Sequence, residues 1–247
     1  MSKIVERTLA VFELFATEKK PLSLTDMTRL LEIPLSSCHD VLRALEARGY
    51  IYETAPRAGY YPTRRLLEVA QVISANDSLL QRTEFLLQSI RDELQETVTL
   101  AKASSNHVIY LQVLEPENPI RFSVRVGAEI RSLYATSAGK AFLASLPASE
   151  LNDVLKNANL VRHTRNTICN KAKLLADIER GKAQGWFLNN EESIDGMTTL
   201  SSSFSWGNAC HIITVAGITS RMQDKLELAA SLITKTCCAL SEKPLLV

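Results

Sequence analysis

Cysteine and histidine are scarce in this 247-residue chain, and their arrangement excludes two kinds of stabilised fold. The five cysteines are odd in number, no C-x-x-C pair occurs, and only four histidines are present. A disulfide framework needs paired cysteines, and a structural zinc site needs clustered Cys and His ligands. We therefore expect reduced, mostly buried thiols, no metal site and no cofactor.

Long apolar runs are also missing. The segment MSKIVERTLAVF carries charges inside its apolar pattern, and no uninterrupted apolar run approaches the roughly 20 residues that a bilayer requires. Hydrophobic residues nevertheless make up 46% of the chain, which is enough to fill large cores. We expect a cytoplasmic protein of one large domain or two ordinary ones, with no membrane partner.

A strong excess of positive charge, the usual mark of a nucleic-acid-binding module, is absent as well. The formal net charge is +1, and residues 1–66 contain ten Lys and Arg against eight Asp and Glu. Charge alone therefore does not predict a nucleic acid partner.

The first 65 residues have the periodicity of three helices followed by a β-hairpin. Residues 4–15 keep helical spacing, and Ser23 with Asp26 forms a capping box that opens a short second helix. The third helix lies in LSSCHDVLRALEARGY, residues 35–50. Its inward positions are Cys38, Val41, Leu42 and Leu45. The segments YIYET, APRAG and YYP then predict strand, turn and strand. This order predicts a winged helix-turn-helix with the third helix in the recognition position.

Beyond residue 65, a long helical stretch with a break at residues 76–78 precedes alternating strands and helices. An apolar stripe on its first half, which its own domain does not explain, suggests packing against a second copy of the chain. The stripe consists of Leu66, Leu67, Ala70 and Ile73. Predicted strands are VTLAKAS, HVIYLQVL, IRFSVRV, GWFLNN, TTLSSSFS and HIITVAGI. Helices are predicted over SAGKAFLASL, ASELNDVLKNA, KAKLLADIERGKAQG and residues 223–241, so the class is α+β with a mostly antiparallel sheet.

Motifs spread over the whole chain resemble those of the isocitrate lyase regulator (IclR) family of bacterial transcription factors. They are LSLTDMTRLLEIPLSSCHDVLRALEARGY, GYYPTRRLLEVA, SVRVGAEI followed by ATSAGKAFLA, and EESIDG before TVAGITSR. The resemblance implies a winged helix-turn-helix DNA-binding domain in residues 1–65 and a linker helix in 66–80. It further implies a GAF-like effector-binding and oligomerisation domain in 81–247.

The resemblance also implies a function and partners. The expected protein is a sequence-specific transcriptional regulator, most simply a repressor of a catabolic or metabolic operon. It binds a double-stranded DNA operator as a homodimer or a dimer-of-dimers tetramer, and a small organic or aromatic acid controls it. Two alternatives stay open: a ligand-binding or interaction module that has lost DNA binding, and an enzyme built on a GAF-like domain.

Asp40 stands in the recognition helix where the family commonly has arginine. It either pairs with Arg43 and stabilises the helix, or faces the major groove and accepts a hydrogen bond from cytosine N4. His39 is similarly either a half-buried packing residue or a DNA contact, and Ser36 either an N-cap or a DNA contact. The expected DNA-binding residues are Thr25, Ser36, Ser37, His39, Asp40, Arg43, Arg57, Tyr61, Arg64 and Arg65.

The effector pocket of the family lies between the ATSAGK turn and the strands around EESIDGMTT and ITVAG. The N-terminus of the helix near Ser137 offers free backbone N–H groups that suit a carboxylate, and Thr199 and Thr214 add hydroxyls. Leu133 and Phe204 are expected as apolar walls. The expected effector-binding residues are Leu133, Ala135, Thr136, Ser137, Ala138, Asn189, Asp195, Thr199, Phe204, Thr214 and Ala216.

Catalytic motifs are incomplete. Ser137 and Lys140 match S-x-x-K, but no Ser-Asp-Asn or Lys-Thr-Gly partner occurs. Adjacent Cys210 and His211 on a strand point to opposite faces, which prevents a nucleophile–base pair. We expect no catalytic residues.

Overall fold

The computed structural model describes residues 2–55, 58–104, 107–130 and 132–241. The chain divides into two compact units, the first ending at Asp77 and the second beginning at Ser78. The segment 66–80 expected as a linker therefore contributes to both units. Across the described residues, no helix is both long enough and apolar enough to cross a membrane.

The first unit is the predicted winged helix-turn-helix. Its elements are α1 (Lys3–Glu18), α2 (Leu24–Leu31), α3 (Leu35–Ala47), the antiparallel strands β1 (Ile51–Glu53) and β2 (Tyr60–Pro62), and α4 (Arg65–Ala75). The inward face of α3 packs against Val11, Phe15 and Met27, and all four of its expected core residues are buried. The apolar spacing of α3 thus sets which of its faces points away from the core.

A capping box begins α2, as the sequence predicts. The hydroxyl oxygen of Ser23 accepts a hydrogen bond from the N–H of Asp26 at 3.1 Å, and the Asp26 carboxylate accepts one from the N–H of Ser23 at 3.3 Å. Hydrogen bonds from the side chain and backbone of Ser23 lower the pKa of Asp26. The helix ends at Leu31, and the following C-cap residue, Glu32, has a φ of 53° in the left-handed region.

Helix α4 carries its apolar stripe outward. Within the described residues none of its side chains is buried, and Leu67, Val72 and Ile73 are 50%, 64% and 68% exposed. Such a stripe on one helix is typical of a surface that another protein chain covers.

The second unit is built on one antiparallel sheet. Helix α5 (Ser78–Leu94) leads into five strands with the spatial order β4-β3-β7-β6-β5. The strands are β3 (Thr97–Ser104), β4 (His107–Leu114), β5 (Phe187–Asn190), β6 (Met197–Trp206) and β7 (Ala209–Ile218). The helices are α6 (Ser137–Ser145), α7 (Ala148–Asn157), α8 (Lys171–Gln184), the short α9 (Thr219–Met222) and α10 (Leu226–Ser241). The predicted α+β class is confirmed.

The two faces of this sheet have different neighbours. Because strand residues alternate between faces, Leu200 and Val215 point to one side, where they pack with α5 and α10. The neighbouring residues Ser201 and Thr214 point to the other side, where α6 covers the sheet. The polar side chains of the central strands therefore meet the beginning of α6.

One predicted strand is wrong. In the described range 107–130, residues 120–126 join no strand, although IRFSVRV has an alternating pattern. The carbonyl oxygen of Phe122 instead accepts a hydrogen bond from the Thr97 hydroxyl at 2.6 Å, and that of Ile120 accepts one from Arg221 at 3.0 Å. Side-chain donors thus replace a backbone ladder, and the alternation reflects which residues turn inward rather than strand pairing.

Glu32 supplies a test of the turn between α2 and α3. A residue with a Cβ is strained at positive φ. Glu32→Gly relieves that strain, but the more flexible glycine loses more chain entropy on folding. We expect a net stabilisation of about 0.5–1 kcal/mol in urea unfolding. The control Glu46→Gly, inside α3, destabilises by a similar amount. Equal destabilisation by both substitutions would contradict this account of the turn.

Candidate functional site

The outward face of α3 presents the expected polar residues together. Ser36, His39, Asp40 and Arg43 are exposed, and Ser37 is half-buried. Thr25, near the start of α2, is exposed as well. An exposed polar face on a helix that is anchored by its other face is the geometry with which a recognition helix reads base edges.

The structure decides between interpretations that the sequence leaves open. Pro34 occupies the N-cap position of α3, so Ser36 is not the N-cap. His39 is exposed, which excludes a half-buried packing role. Among the described residues Asp40 forms no ion pair with Arg43. The pair with Arg43 therefore does not account for Asp40, whereas its interaction with the helix dipole and its role in base recognition both stay open.

Of the four residues expected to contact DNA in and just after the wing, two pack against aromatic rings and one lies outside the described residues. Tyr61 is half-buried and packs edge-on against Phe15, with ring centroids 5.8 Å apart. Arg64 and Arg65 are both exposed, and Arg65 places its guanidinium 5.3 Å from the centroid of the Tyr50 ring. Arg57, expected as a contact of the wing, lies outside the described residues.

A cavity of about 360 Å³ lies between the sheet, the start of α6 and the segment after β4. Its size is at the lower end of the range for small-molecule sites. It is lined by Thr99, Tyr110, Phe122, Ser123, Val124, Ala128, Glu129, Ile130, Ser132, Thr136, Ser137, Ala138, His163, Asn189, Ser193, Ile194, Thr199, Thr214 and Ala216.

A chain of hydroxyl groups crosses the floor of this cavity. The Ser137 hydroxyl lies 2.6 Å from that of Thr199 and 2.8 Å from that of Ser201. Ser201 in turn lies 2.8 Å from Thr214, and the Asn189 amide donates to Thr199 at 3.3 Å. The register places these strand residues side by side, since Thr199 is opposite Ala216 and Ser201 is opposite Thr214.

The beginning of α6 supplies backbone donors to the same cavity. The Thr136 hydroxyl caps the helix by accepting a hydrogen bond from Gly139 N–H at 3.1 Å. The N–H groups of Ser137 and Ala138, in the first turn, have no acceptor within the helix. Together with the helix dipole they favour an anion at this end of the cavity. A Cβ on Gly139 would lie 2.4 Å from the Cα of Leu133, so only glycine fits there.

Seven of the eleven expected effector-binding residues line the cavity. They are Thr136, Ser137, Ala138, Asn189, Thr199, Thr214 and Ala216. Phe204, expected as a wall, lies on the opposite face of the sheet, because it is five residues from Thr199 and strand side chains alternate. Asp195 is exposed in the loop after β5. Leu133 packs against α6 residues in a core cluster, Ala135 is buried, and neither lines the cavity.

Sequence reasoning missed Thr99, Tyr110 and His163. Strand alternation could have found the first two, since Thr99 is opposite Thr214 and Tyr110 is opposite Ala101 on the α6 face. Burial raises the pKa of Tyr110 to about 12. His163 follows an irregular segment, and no spacing signal points to it. Its ring stacks on Tyr134, and its Nε2 lies 3.1 Å from the Tyr134 hydroxyl.

A buried ion-pair network stands behind the cavity. The Lys140 side chain is fully buried, and its Nζ lies 2.6 Å from a Glu192 oxygen and 2.7 Å from an Asp177 oxygen. It also donates to the carbonyl oxygen of Leu188 at 2.9 Å, and Arg180 pairs with the second oxygen of Asp177. The network thereby joins α6, α8 and the loop after β5.

Glu192 belongs to this network, and Asn189 connects it to the cavity wall. Burial raises the pKa of Glu192, and the neighbouring Lys140 ammonium opposes the rise. The Asn189 side-chain oxygen accepts a hydrogen bond from the N–H of Glu192 at 2.7 Å, while its amide group donates to Ser193 at 2.9 Å. Lys140 therefore belongs to the support of the cavity, and the Ser137 hydroxyl bonds to Thr199 and Ser201 rather than forming an S-x-x-K pair.

A second ion pair holds the segment that covers the cavity. Glu96 is fully buried and accepts two hydrogen bonds from Arg221, at 2.6 and 2.8 Å. Arg221 also holds the carbonyl oxygen of Ile120. Further along, the N–H of Ile130 donates to Val108 at 2.8 Å. These bonds position the lining residues between 122 and 130.

Both units match models of the same family of bacterial transcriptional regulators. Residues 71–241 match the family model described as "Bacterial transcriptional regulator IclR C-terminal", and residues 4–55 match "IclR helix-turn-helix domain". The probable transcriptional regulator SauR of Cupriavidus necator is 26% identical over 242 residues, covering 94% of this chain and 96% of that protein. The repressor AllR of Escherichia coli K12 is 23% identical over 238 residues, covering 95% and 88%.

Solved structures share the fold. The IclR protein of Thermotoga maritima has a TM-score of 0.79 at 21% identity, covering 96% of each chain. An IclR homolog of Microbacterium hydrocarbonoxydans, complexed with 4-hydroxybenzoate, has a TM-score of 0.73 at 18% identity, covering 97% of this chain and 98% of that one.

The buried network behind the cavity can be tested through Lys140. The substitution Lys140→Met leaves the buried Glu192 carboxylate without its cation, while Asp177 keeps only its pair with Arg180, so we expect a loss of about 3–5 kcal/mol in the free energy of unfolding. The control Lys182→Met removes an exposed pair with Glu179 on α8 and costs less than about 0.5 kcal/mol. The triple variant with Asp177→Asn and Glu192→Gln regains part of the loss. If Lys140→Met kept the wild-type free energy of unfolding, the network would not contribute to the stability of the fold.

Proposed function

Because the chain belongs to the IclR family of bacterial transcriptional regulators, we propose that it represses a catabolic or metabolic operon and that a small organic acid controls it. The observation that carries the proposal is the start of α6, where backbone N–H groups and the Ser137–Thr199 hydroxyl pair face one cavity. Donors that converge on one end of a small cavity suit a carboxylate.

The charges of the lining support an acid of modest size. Among the described lining residues His163 is the one basic side chain, so recognition of a carboxylate rests mainly on helix N–H groups and hydroxyls. Phe122, Ile130 and Ile194 supply the apolar surface that an organic or aromatic body requires. The homolog from Microbacterium hydrocarbonoxydans, complexed with 4-hydroxybenzoate, is an example of such a ligand in a protein of the same fold.

The proposal for DNA rests on the exposed face of α3. Ser36, His39, Asp40 and Arg43 supply the donors and acceptors that read base edges. Asp40 repels phosphate, so the positively charged groups that position the protein on the duplex are Arg43 and Arg64, with Arg57 of the wing. Several AllR relatives are named as repressors, which favours repression by this chain.

Assembly and control follow from the same features. The exposed stripe of α4 suits packing against a second copy of the chain, giving a homodimer or a dimer of dimers. A dimer presents two recognition helices to two half-sites of an operator. An effector that binds one dimer arrangement better than another shifts the population between them and thereby changes the affinity for DNA.

Calorimetric titration tests the effector site. We expect benzoate, pyruvate and related acids to include a ligand of wild type whose affinity falls at least about tenfold in Ser137→Leu and Thr214→Val, because charge-assisted hydrogen bonds are lost. The control Ser205→Leu changes an exposed serine of β6 outside the lining and keeps the affinity. Undiminished affinity in both cavity variants would place the site elsewhere.

Asp40 tests the DNA interface. If its carboxylate reads a cytosine, Asp40→Ala relaxes the preference at one operator position by about 1–3 kcal/mol. Asp40→Arg strengthens non-specific binding and steepens its dependence on salt. The control Asp92→Arg makes the same charge change on α5, where its effect on the salt slope is smaller. An unchanged base preference and an unchanged salt slope in gel-shift titrations would contradict a groove-facing Asp40.

A further inference from the structure

Thr99 has a hydrogen-bonding group that the protein leaves unused. Its side chain is 1% exposed, it lines the cavity, and its hydroxyl has no partner within the described part of the chain. A buried hydroxyl without a partner costs stability, and such groups are rare in folded proteins. The neighbouring hydroxyls differ, since Ser201 bonds to both Ser137 and Thr214.

The position of Thr99 relative to α6 defines a second end of the cavity. Thr99 is opposite Thr214, and Thr214 is opposite Ser201, so two strand spacings separate Thr99 from Ser201. At the usual spacing between strands this amounts to about 10 Å. Tyr110 lines the same end from the edge strand β4, where it is opposite Ala101. We call Thr99 and Tyr110 the hydroxyl subsite.

The charges of the lining orient a ligand between the two ends. The α6 end has the free N–H groups of the helix, and His163 approaches it beside Tyr134. Glu129, the one carboxylate among the described lining residues, has a side chain that is 67% exposed and faces His107 at 3.9 Å, so it does not compete with the α6 end for the orientation of a ligand. A ligand carboxylate therefore binds more favourably at α6, and its other end points toward Thr99.

We propose that the effector is a hydroxy acid, whose carboxylate binds at the start of α6 and whose hydroxyl, at the opposite end, bonds to Thr99. This inference rests on the proposed effector function and adds the chemical class. The phenol of Tyr110, which lines the same end of the cavity, supplies a second partner for that hydroxyl. A site built around a polar group rejects the analogue that lacks it, because its own polar group is then left buried and unpaired.

The test compares acids that differ by one hydroxyl. The probes are benzoate and 4-hydroxybenzoate, phenylacetate and 4-hydroxyphenylacetate, and butyrate and 4-hydroxybutyrate. In calorimetric titrations of wild type, we expect the hydroxylated member of at least one pair to bind about fivefold or more tightly than its partner. In Thr99→Val, which keeps the shape and removes the hydroxyl, that ratio falls at least about twofold, because Tyr110 is then the one remaining partner of the ligand hydroxyl.

Thr234 provides a matched control. Its hydroxyl is also buried without a partner in the described residues, but it lies on α10, outside the cavity lining. Thr234→Val therefore keeps the wild-type ratio. A wild-type ratio in Thr99→Val, or no preference for hydroxylated acids in wild type, would overturn the hydroxyl subsite while leaving an acid effector in place. If no acid of either kind bound to wild type, the proposed effector function would fail as well.

A measurement without ligand completes the test. Because the buried Thr99 hydroxyl is unpaired, its removal breaks no hydrogen bond, so Thr99→Val keeps or raises the melting temperature. Ser201→Ala, which removes two hydroxyl contacts of the chain on the cavity floor, lowers it. A decrease for Thr99→Val as large as that for Ser201→Ala would show that Thr99 already has a partner in the protein and would overturn the proposal.

Discussion

The buried ammonium of Lys140 is the constraint on which the cavity depends. A charge removed from water is tolerated only when opposite charges and hydrogen bonds surround it. Glu192 and Asp177 provide that neutralisation from two separate segments, so the start of α6, the loop after β5 and α8 must all meet at one point. The backbone N–H donors at the start of α6 are therefore held in place relative to the strands they face.

The antiparallel sheet adds the second half of the arrangement. Alternation along β6 and β7 sends Leu200 and Val215 into the core and Ser201 and Thr214 toward α6. One strand pair thus contributes to the core on one face and to the proposed effector cavity on the other. In the first unit α3 follows the same division with a helical period, because a buried face holds the helix while an exposed polar face remains for the proposed contact with DNA.

Local patterns predicted what depends on local physics. The capping box at Ser23 and the inward face of α3 follow from spacing alone, and so do five of the six strands expected in the second unit. The segment 120–126 was wrongly predicted as a strand, because its inward residues contact the cavity and its carbonyl groups accept hydrogen bonds from distant side chains. Seven of the cavity residues were expected from resemblance, but Thr99 was not. No local signal shows that a threonine hydroxyl lacks a partner, and none pairs Lys140 with carboxylates that lie 37 and 52 positions away.

Ligand-controlled DNA binding requires that the cavity and the recognition helices share one equilibrium. Such coupling is reciprocal, since the factor by which an acid changes the affinity for DNA equals the factor by which DNA changes the affinity for the acid. The most direct measurement is therefore the affinity of a bound acid with and without saturating DNA from upstream of the protein's own gene, together with the DNA affinity with and without the acid. The account predicts one common factor different from unity. Equal acid affinity in the presence and absence of DNA would contradict it.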